Sequence, residues 1–156
     1  MSKANYRRKT PQVTSTVLFK FTEQEHAKIN GPFRHSLQMF KDGTATQTDW
    51  FNCTFRIKCA HLISLEKHED ITKLQLKQLV DICEGLEERA RAHDHVVWEA
   101  TPEEIEWLEA GFDAIEELQR TINRKFFYDT CVKADYQLRE KYVAGSHWKQ
   151  KIKKPT

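Results

Sequence analysis

Apolar residues recur at alternating three- and four-residue spacing along most of the chain, which is the pattern of amphipathic helices. One stripe of this kind comprises Leu76, Leu79, Cys83, Leu86 and Ala90. A second stripe comprises Ile105, Leu108, Phe112, Ile115, Ile122 and Phe126, and Gln119 is the one polar residue at this spacing. Stripes of this width bury one side of a helix against its neighbours. The pattern predicts an all-α fold, a single helical bundle of four to five helices.

Capping signals mark where several of these helices begin and end. Thr22 to Glu25 and Thr101 to Glu104 both read as capping boxes, and Pro102 occupies the first helical position of the second. Gly31-Pro32 predicts a kink or a break in the first helix, and Gly43 predicts a left-handed cap at its end. Thr48-Asp49 offers the next N-cap.

Two further segments carry weaker or mixed signals. Residues 50–66 alternate apolar and polar side chains in part, as a strand does, but the apolar pattern runs too long for a typical strand and favours a helix. A capping box from Thr72 to Gln75 predicts the start of the following helix. The sequence His93-Asp94-His95 is expected to end it.

The last helix is predicted to be unusually long. From Thr101 it can run for about forty residues, roughly 60 Å, unless it breaks near Tyr128-Asp129, and Gly145 ends the pattern. The chain therefore divides into a flexible basic arm at 1–16, a helical domain at 17–145 and a basic tail at 146–156.

Composition narrows the class of protein. The 156 residues contain 5 Gly and 4 Pro, few for an all-β domain, and 31% are charged. Apolar runs stay far shorter than the roughly 20 residues that cross a bilayer, and the basic start lacks the apolar region of a secretory signal. These features and four scattered cysteines predict a cytoplasmic protein without a membrane span.

The formal net charge of +2 conceals a strong asymmetry. Residues 66–119 hold sixteen acids against five bases, while residues 1–20 and 120–156 are basic. The segment Trp98 to Gln119 holds eight acids and no base. Acids early in a helix and bases late in it match the helix dipole, which explains part of the asymmetry. The rest predicts either pairing inside the fold or a surface for a partner.

One stretch resembles a known group of proteins. The residues Phe33-Arg34-His35-Ser36-Leu37, Asp42-Gly43 and Asp49-Trp50 are similar to a pattern in small, uncharacterised, all-helical bacterial proteins that often occur near plasmid or phage genes. The resemblance covers about residues 22–135. It implies an all-helical fold and a bacterial or phage cytoplasm, and it implies no activity.

No motif for catalysis or metal binding stands out. The cysteines Cys53, Cys59, Cys83 and Cys131 lie on or near apolar stripes, without a CxxC pair or an HExxH motif, and are expected to be buried and reduced. His93 and His95 could chelate only from a loop. Phosphate-binding and nucleophile-elbow motifs do not occur. The sequence therefore predicts no catalytic residue, no metal site and no cofactor, and an enzyme is the less favoured class.

Two binding functions remain. The favoured one is a regulator or inhibitor that contacts another, basic protein and can itself dimerise. Its acidic helix face and aromatic anchor are predicted to comprise Glu103, Glu106, Glu109, Asp113, Glu116 and Trp98. Trp107 is a second candidate for the anchor, although a core position is favoured for it.

The alternative is an accessory protein that binds nucleic acid through its basic ends. Lysine and arginine can displace counterions from phosphates, and an aromatic ring can stack on a base. The residues that would do so are Arg7, Arg8, Lys9, Trp148, Lys149 and Lys151.

Overall fold

A computed structural model describes residues 20–67 and 70–144, and it confirms the all-α prediction. Within that part of the chain five α-helices pack on one another, and a π-helical turn, Arg139–Ala144, continues the last of them. The helices are α1 Glu23–Asp42, α2 Gln47–Lys67, α3 Asp70–Arg91, α4 Pro102–Gln119 and α5 Arg124–Leu138. None of these helices is both long and apolar enough to cross a bilayer.

Helix α1 begins and ends where the capping signals predict. Thr22 Oγ1 accepts from the Glu25 backbone N–H at 3.2 Å, and Glu25 Oε1 accepts from the Thr22 N–H at 2.9 Å. Gly43 adopts the left-handed conformation, with φ of 74°. The predicted break at Gly31-Pro32 is wrong, because Pro32 lies inside one uninterrupted helix. Burial of side chains on both sides of Pro32 offsets the roughly 3 kcal/mol that a proline costs inside a helix.

Helix α2 resolves the mixed pattern of residues 50–66 in favour of a helix, as predicted. It begins slightly earlier than the Thr48-Asp49 signal indicates. The Thr46 backbone N–H and hydroxyl both donate to Asp49 Oδ2, at 2.9 and 3.1 Å, and the Trp50 N–H donates to the Thr46 carbonyl at 3.1 Å. Asp49 therefore stabilises the first turn from inside the helix.

Helix α3 begins at Asp70, two residues before the predicted start at Thr72. The side chains of the predicted capping box at Thr72 lie outside the described residues. The helix ends at Arg91, and the turn predicted at His93-Asp94-His95 is confirmed: Asp94 and His95 have φ of 54° and 60°. This left-handed turn directs the chain back across the bundle towards α4.

The prediction of a single long C-terminal helix is wrong. The chain leaves the helix after Gln119, and Asn123 caps a new helix by accepting the Phe126 backbone N–H at 2.9 Å. Ile122, which continues the apolar stripe of α4 in sequence, is buried in the turn at 1% exposure. Burial of Ile122 and capping by Asn123 stabilise a turn, and α5 then packs against α2. Neither the forty-residue helix nor a break near Tyr128-Asp129 occurs.

Helix α2 is the centre of the bundle and packs against all four other helices. Its inward side chains are almost wholly buried: Trp50, Cys53, Ile57, Cys59, Ala60, Ile63 and Ser64. Helix α4 rests on α1 and α3 as well as on α2, which leaves one of its sides facing solvent. That side carries the residues in which the sequence predicts a partner site.

Candidate functional site

Three acids of α4 that face α1 pair with bases of that helix. Asp113 Oδ1 and Glu116 Oε1 accept from the Arg34 guanidinium at 2.5 and 2.7 Å, and Glu109 Oε1 accepts from Lys41 Nζ at 2.7 Å. The hydrogen bond to Glu116 is the main reason that the pKa of Arg34 is raised. Three of the five acids predicted to contact a partner are therefore matched within the fold.

The acids nearest the start of α4 divide into paired and unpaired groups. Glu104 caps the helix through Thr101 and accepts from Arg89 Nη2 at 2.6 Å. Glu103 and Glu106 are exposed, and neither forms an ion pair with any residue in the described ranges. Within α4, the acids without an ion pair among the described residues are therefore these two.

The two tryptophans near this helix exchange the roles that the sequence predicts. Trp98, the predicted anchor, lies in the core at 3% exposure, where its ring centroid is 5.4 Å from that of Trp50 and its Nε1–H donates to the His95 carbonyl at 2.8 Å. Trp107, predicted to be core, is 40% exposed, and that prediction is wrong. The neighbouring Leu108 is fully buried and takes the inward direction instead.

Trp107 lies among the unpaired acids. Residues 103, 106, 107 and 110 recur at three- and four-residue spacing, so their side chains share one side of the helix. We call Glu103, Glu106, Trp107 and Ala110 the α4 outer face, and each is exposed. Trp107 Nε1 donates to no acceptor among the residues that the structure describes. The face thus combines a partly exposed indole, two free carboxylates and a small flat position.

A buried polar cluster lies beneath α1 and α4. The Arg56 guanidinium, 3% exposed, donates to Asn30 Oδ1 at 2.7 Å and to Gln119 Oε1. Gln119 Nε2 in turn donates to His26 Nδ1 at 3.0 Å. The one polar residue in the apolar stripe of α4 therefore connects a buried cation on α2 to a buried imidazole on α1.

Arg56 has no carboxylate partner in the described part of the chain. Burial lowers the pKa of its guanidinium to about 10, and the Phe33 ring, whose centroid is 5.3 Å from Cζ, offsets some of the lost solvation. Burial also lowers the pKa of His26, which suits an imidazole that accepts at Nδ1. The charge of Arg56 on α2 is stabilised by neutral acceptors on α1 and α4. The cluster therefore fixes the positions of these three helices relative to one another.

The four cysteines are free, as predicted, and three are fully buried. Cys59 and Cys131 approach each other, with 3.8 Å between their Sγ atoms. The hydrogen bond between them lowers the pKa of the half-buried Cys131 and raises that of Cys59, and Arg56 further favours the Cys131 thiolate. Burial raises the pKa of Cys53 and Cys83. No sequence pattern predicts this pairing, because residues 59 and 131 are distant along the chain.

This arrangement predicts that Cys131 is the first thiol to react. In native protein at pH 8, iodoacetamide should alkylate Cys131 at least tenfold faster than Cys53 or Cys83, because only Cys131 combines partial exposure with a lowered pKa. Peptide mapping by mass spectrometry measures the four rates, and denatured protein serves as the control in which they should converge. Equal native rates at Cys131 and Cys83 would contradict the assignment.

The residues of the nucleic-acid alternative lie outside the described ranges. Arg7, Arg8 and Lys9 precede residue 20, and Trp148, Lys149 and Lys151 follow residue 144. That alternative therefore stays a prediction. Within 20–67 and 70–144, no three His, Cys, Asp or Glu side chains are grouped so that they could hold a metal ion.

No protein-family model matches this chain, and neither the curated proteins nor the solved structures provide a match to it.

Proposed function

We propose that this protein is a non-enzymatic regulator or inhibitor that binds another protein through the α4 outer face. The observation that supports the proposal is the partly exposed Trp107 beside Glu103 and Glu106, two acids of α4 that pair with no base in residues 20–67 and 70–144. The bases of α1 pair with the acids of α4 that face them. The remaining negative charge of α4 is therefore directed away from the bundle.

The energetics of interfaces favour this combination of residues. Tryptophan is enriched among the few residues that carry most of the binding energy, particularly where its ring enters a pocket on the partner. Two adjacent carboxylates contribute mainly to association rate and to the choice of partner. Ala110, one turn beyond Trp107, leaves space for a partner to approach the indole closely.

The same features define the partner. A surface that complements Glu103 and Glu106 carries lysine or arginine at its rim, and a surface that complements Trp107 has an apolar pocket at its centre. The proposed partner is therefore a basic protein, for which the resemblance to phage-associated helical proteins suggests a bacterial host protein. Contact with such a protein can block or redirect its activity without any chemistry by this chain.

Affinity capture from an extract of the source organism tests the proposal. We expect proteins retained by the wild-type chain to be retained at least tenfold less by Trp107→Ala and by the charge reversal Glu103→Lys/Glu106→Lys. The matched control is Asp81→Lys/Glu88→Lys, which reverses two exposed acids on α3 and changes the net charge equally. Quantitative mass spectrometry compares the retained sets.

The comparison of variants, and not capture itself, decides the outcome. A retained basic protein that is lost with both α4 variants and kept with the α3 control supports the proposal. The proposal fails if the retained sets of the wild-type chain and the α4 variants are the same, or if the α3 control loses the same proteins.

A further inference from the structure

A cavity of about 320 Å³ lies between α2, α3 and the end of α5, away from the α4 outer face. Its inner wall includes Ile57, Cys83 and Leu138, which are 1, 2 and 4% exposed. The lining is mainly apolar, and Leu65 extends it towards the surface at 47% exposure. Cavities of this size and character are typical of small-molecule sites.

The mouth of the cavity is basic. Lys58 of α2, Lys77 of α3 and Lys141 of the π-helical turn all line it. Lys141 Nζ donates to Glu84 Oε1 at 2.6 Å, whereas Lys58 and Lys77 form no ion pair with any described residue. Burial lowers the pKa of Lys58, and the charge of Lys141 lowers it further. The site therefore holds cations that repel each other beside an apolar interior.

Two further groups give the cavity polar contacts. Burial lowers the pKa of His61, and the charge of Lys58 adds to this effect, which favours a neutral ring able to donate or accept one hydrogen bond. Thr54 is 7% exposed, and its Oγ1 has no hydrogen-bond partner in the described structure, although it lies close enough to Cys83 to moderate the rise in the pKa of that thiol. His61 and Thr54 therefore make part of the cavity wall polar.

We propose that this cavity binds an anionic amphiphile, specifically an unbranched carboxylate with an apolar chain of about ten carbons. The apolar chain occupies the space between Ile57, Val80 and Leu138, and the carboxylate accepts from Lys58 and Lys77 at the mouth. A volume of 320 Å³ equals that of about ten water molecules in the liquid, which suits a ligand of this size.

Charge argues against the remainder of the chain as the occupant. The segment that follows the described residues carries Lys149, Lys151, Lys153 and Lys154 and has no acidic side chain. Such a segment would add positive charge beside Lys58 and Lys77, which have no ion pair among the described residues. An external anion instead relieves the repulsion between Lys58 and Lys141 and gives Lys77 a partner.

Calorimetric titration of the full-length chain with decanoate, below its critical micelle concentration, tests the proposal. Decan-1-ol and decyltrimethylammonium serve as neutral and cationic probes with the same alkyl chain. We expect saturable one-to-one binding of decanoate and at least tenfold weaker binding of the other two. Lys58→Gln/Lys77→Gln should weaken decanoate binding at least tenfold, and the control Lys28→Gln/Lys133→Gln, at exposed sites on α1 and α5, should not.

A pocket-filling variant separates the cavity from the charges. Val80→Phe should reduce binding of decanoate at least tenfold, and circular dichroism confirms that the variant is folded. Absence of saturable decanoate binding to the wild-type chain overturns the proposal. Equal affinity for decan-1-ol, or equal weakening by the control lysine pair, overturns it as well.

Discussion

Replacing Gln119 with leucine is expected to lower the free energy of unfolding by about 3 kcal/mol, although leucine matches the apolar stripe of α4 better than glutamine does. The substitution removes one of the two acceptors of the buried Arg56 guanidinium, leaving Asn30 Oδ1, and it removes the donor to His26 Nδ1. Burial has already moved the pKa of Arg56 from 12.5 to about 10, which corresponds to a cost of order 3 kcal/mol for keeping it charged at neutral pH. The substitution takes a further acceptor from this buried guanidinium, which has no carboxylate partner among the described residues.

Urea denaturation followed by circular dichroism measures this change. The matched control is Gln78→Leu, at an exposed position of α3, which should stay within about 0.5 kcal/mol of the wild-type chain. Gln119→Glu keeps an oxygen acceptor for Arg56 and should destabilise less than Gln119→Leu. If Gln119→Leu is as stable as the wild-type chain, the buried cluster does not hold the helices in register.

Replacing Trp50 with alanine is expected to cost about 3–5 kcal/mol. Trp50 is fully buried on the central helix, its Nε1–H donates to the Cys83 carbonyl at 2.9 Å, and its ring packs against Trp98. The substitution leaves a cavity and removes the hydrogen bond to the Cys83 carbonyl. Because small domains have only about 5–15 kcal/mol of stability, the variant should unfold at a much lower urea concentration.

Trp107→Ala is the matched control for this prediction. The indole of Trp107 is 40% exposed and lies on the side of α4 that none of the described helices covers, so its removal should cost less than about 1 kcal/mol. Comparable destabilisation by the two substitutions would show that Trp107 belongs to the core and is not available to a partner. If Trp107→Ala is nearly as stable as the wild-type chain, a loss of partner binding by this variant is not caused by unfolding.

Local capping signals are the part of the fold that the sequence predicts well. The boxes at Thr22 and Thr101 and the left-handed Gly43 depend on groups within four residues of each other, so the sequence contains all that determines them. The same holds for the turn at Asp94-His95. Helix starts at Gln47 and Asp70 deviate by only a few residues from the predicted positions.

The sequence-based predictions are wrong where tertiary packing outweighs a local conformational preference. Pro32 favours a break, but burial along α1 keeps the helix continuous. The stripe through Ile122 favours one long helix, but an asparagine cap and burial of that isoleucine turn the chain. Trp98 and Trp107 differ in burial because the turn after α3 directs one into the core, and no local pattern distinguishes them.

The candidate site was predictable in its position but not in its composition. The acidic run identifies α4, yet the sequence does not show that Arg34 and Lys41 pair with Glu116, Asp113 and Glu109. Those bases lie about seventy to eighty residues earlier in the chain. Only the tertiary structure separates the neutralised acids from Glu103 and Glu106.

Site-specific photo-crosslinking in living cells of the source organism can detect a partner bound to the α4 outer face. A benzophenone amino acid at Ala110 lies on the α4 outer face and leaves Trp107 in place, while the same group at Lys133 occupies an exposed control position on α5. We expect a discrete protein adduct from position 110 that is absent from position 133 and is lost when Trp107→Ala is added. If position 110 gives no adduct, or the same adducts as position 133, the α4 outer face does not bind a partner.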